Sequence, residues 1–364
     1  MTAPMFDLAT PGYERVLATA LRFVEAMRLG DRPWQYRKEP GGAESFYGSY
    51  HGMHILDMFG ALDSLSDADR DAWADYISKD QSEDGAFRAG ARQGAVGAGV
   101  DSMEPDWHCT RGHLWALRIL DRPPRYPLRF LEPLLDTGAL HRWVKKYDWG
   151  NSWAAANQVL ACATALMAAR DWFDIADVDS IMEEGMFPAL EELIDESTGF
   201  WGTQFGADLP NGLFGTIHVA PIYFAQGWPL RALERNLDST LACQLDDGSF
   251  WPGGSDCPDF DGAYMMANLG ELTDYRREDL HQAARPYLEH ALMHESADGC
   301  GWLLHRRDTG PEQWKSRPHW IWKPGESTVT AEYRDEDPSR THIMLGSWFY
   351  PLSIALIAHL LRDT

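Results

Sequence analysis

The sequence lacks any apolar run of about 18 residues, so no transmembrane helix is expected. Its opening stretch, MTAPMFDLATPGYERV, has neither a basic segment nor an apolar core of the secretory kind, and a cytoplasmic location is expected. Cysteine is scarce: Cys109, Cys162, Cys243, Cys257 and Cys300 are an odd, scattered set with no CxxC pair. They read as free thiols, not as a disulfide framework or a zinc ribbon. Basic residues are outnumbered, 32 Lys and Arg against 55 Asp and Glu, for a net charge of −23. Such a field repels phosphate, so neither nucleic acid nor an anionic membrane is an expected partner. A Walker loop, a GxGxxG turn, HExxH and a serine elbow are all missing, which leaves acid/base chemistry without a cofactor as the simplest class.

Aromatic residues are abundant: 16 Trp, 13 Tyr and 15 Phe. They supply core volume, and also flat faces for stacking on sugars or cations. A Gly-aromatic loop recurs as QSEDGAF (81–87), ESTGFWG (196–202), QLDDGSFW (244–251) and SADGCGW (296–302). Apolar segments with helical spacing begin near Ser49, Asp106, Ser152, Leu213, Asp259 and Ser347. Charged amphipathic stretches at 67–79, 178–194 and 276–294 alternate with them. A helix that is apolar on most sides must be surrounded by protein. The alternation therefore predicts an all-α fold, an (α/α)6 toroid with six inner and six outer helices, as a single domain over 1–364. A Pro- and Trp-rich stretch at about 303–340 reads as a long loop or flap.

The inner-helix starts align as Ser49-Tyr50-His51, Asp106-Trp107-His108, Ser152-Trp153-Ala154, Leu213-Phe214-Gly215, Asp259-Phe260-Asp261 and Ser347-Trp348-Phe349. The Ser and Asp are expected as helix caps. Three residues further, on the same face, lie His54, Arg111, Asn157, His218, Tyr264 and Leu352. One histidine on an apolar face is usually a satisfied core residue. A set of polar residues at equivalent positions is costly to bury without purpose, and predicts the wall of a polar cavity, with His113 deeper. Asn151 stands at its rim. Basic, Trp-rich segments around 141–149 and 306–323 are expected as loops that suit an anionic substrate.

QSEDGAF and QLDDGSFW resemble the Q-x-x-(D/G)-G-x-F/W repeat of the terpenoid cyclase and protein prenyltransferase toroid superfamily. The resemblance implies the same toroid. Asp261-Gly262-Ala263-Tyr264 is similar to the prenyltransferase D-G-C-Y, but Ala263 stands at its cysteine and Pro351 at the histidine of its F-Y-H. Two of the three zinc ligands are gone, so no metal is expected, although Cys257 with Asp259 or Asp261 is left open. Asp259-Phe260-Asp261-Gly262 is similar to the D-x-D-D acid motif of class II cyclases as far as its middle aspartate. That implies Asp261 as a general acid, raised in pKa by its carboxylate neighbours.

Three functions remain in play. The first is a cofactor-free lyase or isomerase acting on a polar substrate, such as a sugar, uronate or hydroxy acid, small or oligomeric. Asp261 is its acid, and His51, His108, His218 and Tyr264 are its base candidates. His54, Arg111, Asn157, Asn151, Trp107, Trp153, Phe214, Trp348 and Asp259 are its binding groups. The mixture of Asn, His, Tyr and Arg is similar to that of toroid polysaccharide lyases. The second is a terpenoid cyclase or dehydratase-isomerase started by Asp261. The third is a ligand-binding toroid without catalysis. A homo-oligomer is left open.

Overall fold

The computed structural model describes residues 12–88, 107–303, 306 and 344–363. The expected flap lies outside these residues except at its start, and Asp106 and the basic residues Arg307, Lys315, Arg317 and Lys323 lie outside them too.

Helices of two kinds alternate. The apolar ones are α2 (Phe46–Met58), α4 (Trp107–Leu120), α6 (Ser152–Phe173), α9 (Leu209–Gln226), α11 (Asp256–Leu272) and α13 (Met344–Leu360). The charged-faced ones are α1 (Tyr13–Met27), α3 (Asp67–Ser78), α5 (Thr137–Lys145), α10 (Leu233–Cys243) and α12 (Arg277–Leu292). Between α5 and α6 on one side and α9 on the other, α7 (Val178–Ile181) runs through a π-helical turn into α8 (Phe187–Glu191). Side-chain caps set several starts: Ser45 accepts from Gly48 N–H, Asp136 from Ala139, Asn151 from Ala154 and Asp208 from Asn211. Among the described residues, extended pairing is confined to isolated bridges, three of which close Gly-aromatic loops: Gln81 with Phe87, Ile194 with Trp201, and Glu295 with Trp302.

The chain divides into two compact units, Asp71–Ser239 and Met1–Arg70 with Thr240–Thr364. In the first, α6 packs between α4 and α9, while α5 lies on α8 and the π turn. In the second, α13 packs between α11 and α2, and α12 and α1 lie outside it. The core of the first is built on small residues: all the alanines from Ala155 to Ala169 are buried, and this lets α6 sit among close neighbours.

The repeat has a physical cause. Gln81 Nε2 donates to the carbonyls of Gly85 and Tyr126, and its Oε1 accepts from Tyr126 N–H. Gln244 Nε2 likewise donates to Gly248 and Ala283. The glutamine thus ties each loop to the segment that follows the next helix. Asp84, Asp247 and Asp298 each accept the N–H two residues on, an Asx turn that delivers the following glycine at φ between 65° and 89°. Glycine is required twice over at Gly248, where a Cβ would meet the Pro286 carbonyl oxygen at 2.4 Å.

Each loop then hands its aromatic to an inner helix through one hydrogen bond. Phe87 N–H donates to Thr110, Trp201 to Thr216, Phe250 to Asp259 and Trp302 to Ser347. These four acceptors mark the true register, which differs from the sequence alignment at two helices. Thr110 and Thr216, not Asp106 and Leu213, are the equivalents of Asp259 and Ser347. The offset is three to four residues, one turn, so the faces are kept and only the levels move. It also corrects the expected caps: Ser49, Asp259 and Ser347 sit inside their helices, and Asp259 and Ser347 hold a loop in place of a helix start.

Candidate functional site

The unit Asp71–Ser239 brings four of the expected residues together. On α4, the Arg111 guanidinium donates from Nη1 to Asn157 Oδ1 of α6 at 2.9 Å, and lies 5.0 Å from the Trp115 ring centre. Asn157 Nδ2 donates to the Trp153 carbonyl one turn back. The amide therefore presents its oxygen to the guanidinium in a fixed direction. On α9, His218 Nδ1 lies 2.6 Å from the Phe214 carbonyl. A carbonyl only accepts, so the proton is on Nδ1 and the lone pair is on Nε2. Burial, then the charge of Arg111, pushes the His218 pKa down to about 3. His108 on α4 is held at about 3 by burial, Arg111 and His218 in that order. The two rings thus stand neutral beside a permanent cation. All four side chains keep part of their surface exposed, unlike the core around them.

In the other unit, His51 and His54 of α2 meet Trp348 of α13. The His54 ring stacks on Trp348 with centres 4.2 Å apart, and His51 lies 5.7 Å from it. His54 retains some exposed surface, but its Nε2 is enclosed, and burial holds its pKa down to about 3. On α11, Asp261 is 2% exposed. The neighbouring Phe260 stacks on Phe349 at 4.6 Å and 6°, and touches Tyr264, whose pKa burial pushes up to about 12.

Several expected site residues are placed elsewhere. Trp107 packs its ring against Phe130 and against Trp143 of α5, and is buried there. Asn151 is the cap of α6 and also accepts from Asn211 Nδ2, a structural task. Phe214 is buried, and its backbone carbonyl, not its ring, serves His218. Trp153 is half-buried beside Asn157 and is held by Asn211, which accepts from its N–H. His113 is a satisfied core residue, with Nδ1 on the Cys109 carbonyl, its ring on Phe87 and Nε2 3.4 Å from Asp80. The first half of the first basic segment, through Lys145, is the end of helix α5, with Lys145 and His141 facing Glu192, and only 146–148 form the expected loop.

Asp259 is corrected most sharply. It is fully buried and committed: Oδ1 accepts from Phe250 N–H, while Oδ2 accepts from Ser255 N–H at 2.8 Å and Tyr350 OH at 3.1 Å and lies 2.9 Å from His290 Nε2. Burial, then the charges of Asp259 and Asp256, raises the Tyr350 pKa well above the usual phenol range. Neither histidine partner in this network, His290 or His294, was expected from the sequence. The available signal was their spacing, four residues apart at the end of α12, which puts them on one face.

No family model matches the sequence, and no curated protein matches it either. Solved structures do resemble it in fold. The GH76A alpha-1,6-mannanase from Salegentibacter sp. HEL1_6 superposes with a TM-score of 0.52 at 10% identity, covering 96% of this chain and 100% of the other. The type II terpene cyclase MstE from Scytonema gives 0.52 at 12% identity, covering 97% and 99%, and its complex with merosterolic acid A gives 0.50 at 14%, covering 97% and 100%. At these identities the likeness concerns fold alone, and with the helix alternation above it identifies the chain as an all-α protein of the α/α-toroid fold, similar to terpenoid cyclases.

Proposed function

We propose that the chain is an enzyme that moves a proton on a polar, carboxylated substrate such as a uronate or hydroxy acid, as a lyase or isomerase, with no cofactor in that step. The observation that carries this reading is the group His108, Arg111, Asn157 and His218 on three neighbouring helices. Arg111 is a fixed cation backed by Asn157 and suits a carboxylate, which it can bind in a bidentate manner. His218 has its lone pair set on Nε2 by the Phe214 carbonyl, as a proton acceptor needs. The two are coupled. Arg111 helps to keep His218 neutral, and a carboxylate arriving on Arg111 cancels that charge, which raises the affinity of His218 for a proton when the α-proton must be taken. His108, under the same two influences, stands as the alternative acceptor. The mannanase likeness is compatible with an oligosaccharide, since a variant of that enzyme was solved with alpha-1,6-mannotriose.

The test is turnover of uronate oligosaccharides and hydroxy acids, read as ultraviolet absorbance of an unsaturated product and as deuterium incorporation from solvent. H218N and H108N variants separate the two acceptors. A chain that turns over none of these acids, or an activity indifferent to both substitutions, would rule the reading out.

A second reading has its own support. Asp261 is buried on α11, the helix that also carries Phe260, stacked on Phe349, and Tyr264, and Trp348 stacks on His54. Such a surface suits a carbocation, and Asp261 would then be the acid that starts a cyclisation. Conversion of a polyprenyl substrate that D261N abolishes would favour this reading over the first.

A further inference from the structure

Four side chains in the unit that contains α11, α12 and α13 converge on one buried point. His290 Nε2 lies 2.9 Å from Asp259 Oδ2 and 3.2 Å from His294 Nε2. Tyr350 Oη lies 3.1 Å from the same Asp259 oxygen and 3.2 Å from the same His294 nitrogen. Asp259, His290 and His294 are each 1% exposed or less, and their ligand atoms all fall within 4.8 Å of one another.

The protons do not match the contacts. The Leu303 carbonyl, 3.2 Å from His294 Nδ1, only accepts, so His294 carries its proton there and turns a lone pair inward on Nε2. Arg306 Nη1, 3.4 Å from His290 Nδ1, only donates, so the His290 proton is on Nε2. Four close contacts therefore share two protons, those of His290 Nε2 and Tyr350 Oη. Asp259 Oδ2 and the His294 Nε2 lone pair face the same centre, a strongly electron-rich one. Space is reserved at that centre as well. Gly254 has φ +78°, and a Cβ on it would lie 2.5 Å from His294 Nε2 and 2.8 Å from His290 Cε1.

We propose that Asp259, His290 and His294 form a binding site for a divalent first-row transition metal ion, Zn²⁺ being the ion tested, with Tyr350 hydrogen-bonded to the carboxylate beside it. Two imidazoles and a carboxylate are a donor set this class of ion favours. An ion about 2.0–2.1 Å from its ligands holds them about 2.9–3.4 Å apart, the spacing of His290 from both Asp259 and His294, and the third pair lies within 4.8 Å. Leu303 supplies the outer hydrogen bond that orients a ligating histidine. On binding, the His290 proton passes from Nε2 to Nδ1, and Arg306 turns to Asp247, to which its Nη1 is already bonded at 3.0 Å. Tyr350 keeps its proton. The ion would join α11 to the end of α12, with α13 held beside it through the Tyr350 hydrogen bond to Asp259, which makes its task structural. The site shares no residue with the group around Arg111 and stands or falls apart from the function proposed above.

The experiment is metal analysis of the purified full chain, followed by chelation and titration with Co²⁺ and Zn²⁺. One equivalent of Co²⁺ is expected to give visible d–d absorption that Zn²⁺ bleaches, and Zn²⁺ is expected to raise the melting temperature of the chelated protein by more than about 2 °C. H294N is expected to lose the absorption. G254A, which keeps every ligand residue but crowds His294, is expected to weaken Co²⁺ binding at least 10-fold, and it keeps the test open if H294N does not fold. Absence of d–d absorption together with a melting temperature indifferent to Zn²⁺ would overturn the proposal and leave the four residues as a hydrogen-bonded network.

Discussion

Lowering the pH from 7 to 4.5 is expected to unfold the protein, because three histidines are held neutral in the folded chain. His54, His108 and His218 each have a folded pKa near 3, against an ordinary value of 6.5. A folded pKa below the unfolded one means that the unfolded chain binds more protons between the two values. Stability is thus unaffected above about pH 6.5 and falls as the pH drops from 6.5 towards 3. At pH 5 each histidine takes up close to one proton on unfolding, and so costs about 1.4 kcal/mol per pH unit. The three together give about 4 kcal/mol per unit at full slope and, since the unfolded histidines are only half protonated at pH 6.5, about 7 kcal/mol between pH 6.5 and 4.5, comparable to the whole stability of a typical domain. Urea midpoints followed by far-ultraviolet circular dichroism from pH 7 to 4.5 measure the slope. The single variants H54N, H108N and H218N should each remove about a third of it. R111M should reduce it by raising the folded pKa of His108 and His218 while leaving His54 alone. Midpoints that stay level down to pH 4.5, or a slope unchanged in all three histidine variants, would refute the reasoning.

The repeat loops yield two further expectations. G248A combines a left-handed φ of 87° with a carbonyl oxygen 2.4 Å from the new Cβ, whereas G206A has a φ of 100° and nothing within 4 Å. Thermal denaturation should show G206A costing about 1 kcal/mol and G248A at least about 2 kcal/mol more. Q244L leaves the Gly248 and Ala283 carbonyls without their shared donor and should cost about 1–3 kcal/mol by urea unfolding. Equal losses in the two glycine variants, or a neutral Q244L, would remove the loop's stated role.

Much of the architecture was legible because it rests on local chemistry. The charged stretches at 67–79, 178–194 and 276–294 match the observed outer helices within a few residues, since an amphipathic stripe needs only periodicity to be seen. The Q-x-x-D-G loops were legible because a side-chain tether, an Asx turn and a left-handed glycine each require particular residues. The register was not. Apolar helices such as α4 and α9 have no polar face to fix their phase, and the Thr110 and Thr216 hydroxyls that receive the loop aromatics look like any core threonine in the sequence. Even so, a one-turn error is close to a full rotation, and Arg111, Asn157 and His218 still come together as the alignment had them. Asp259 misled for a related reason. A buried aspartate reads alike in sequence whether it meets substrate or, as here, carries a loop, a tyrosine and a histidine. His290 and His294 were overlooked because they end a charged outer helix, where histidines ordinarily face solvent.

The proposed chemistry depends above all on Arg111 receiving a carboxylate next to His218. Isothermal titration of the wild-type chain and of R111M with uronate oligosaccharides, their neutral methyl esters and alpha-1,6-mannotriose tests this directly, in two buffers of different ionisation enthalpy. The account predicts that the uronate binds, with net proton uptake that grows towards acid pH, since burial still holds the His218 pKa down when Arg111 is neutralised. It also predicts that the methyl ester and mannotriose bind at least 10-fold more weakly, and that R111M removes the difference. Neutral sugars binding as tightly as the acid, or uronate affinity unchanged in R111M, would contradict it.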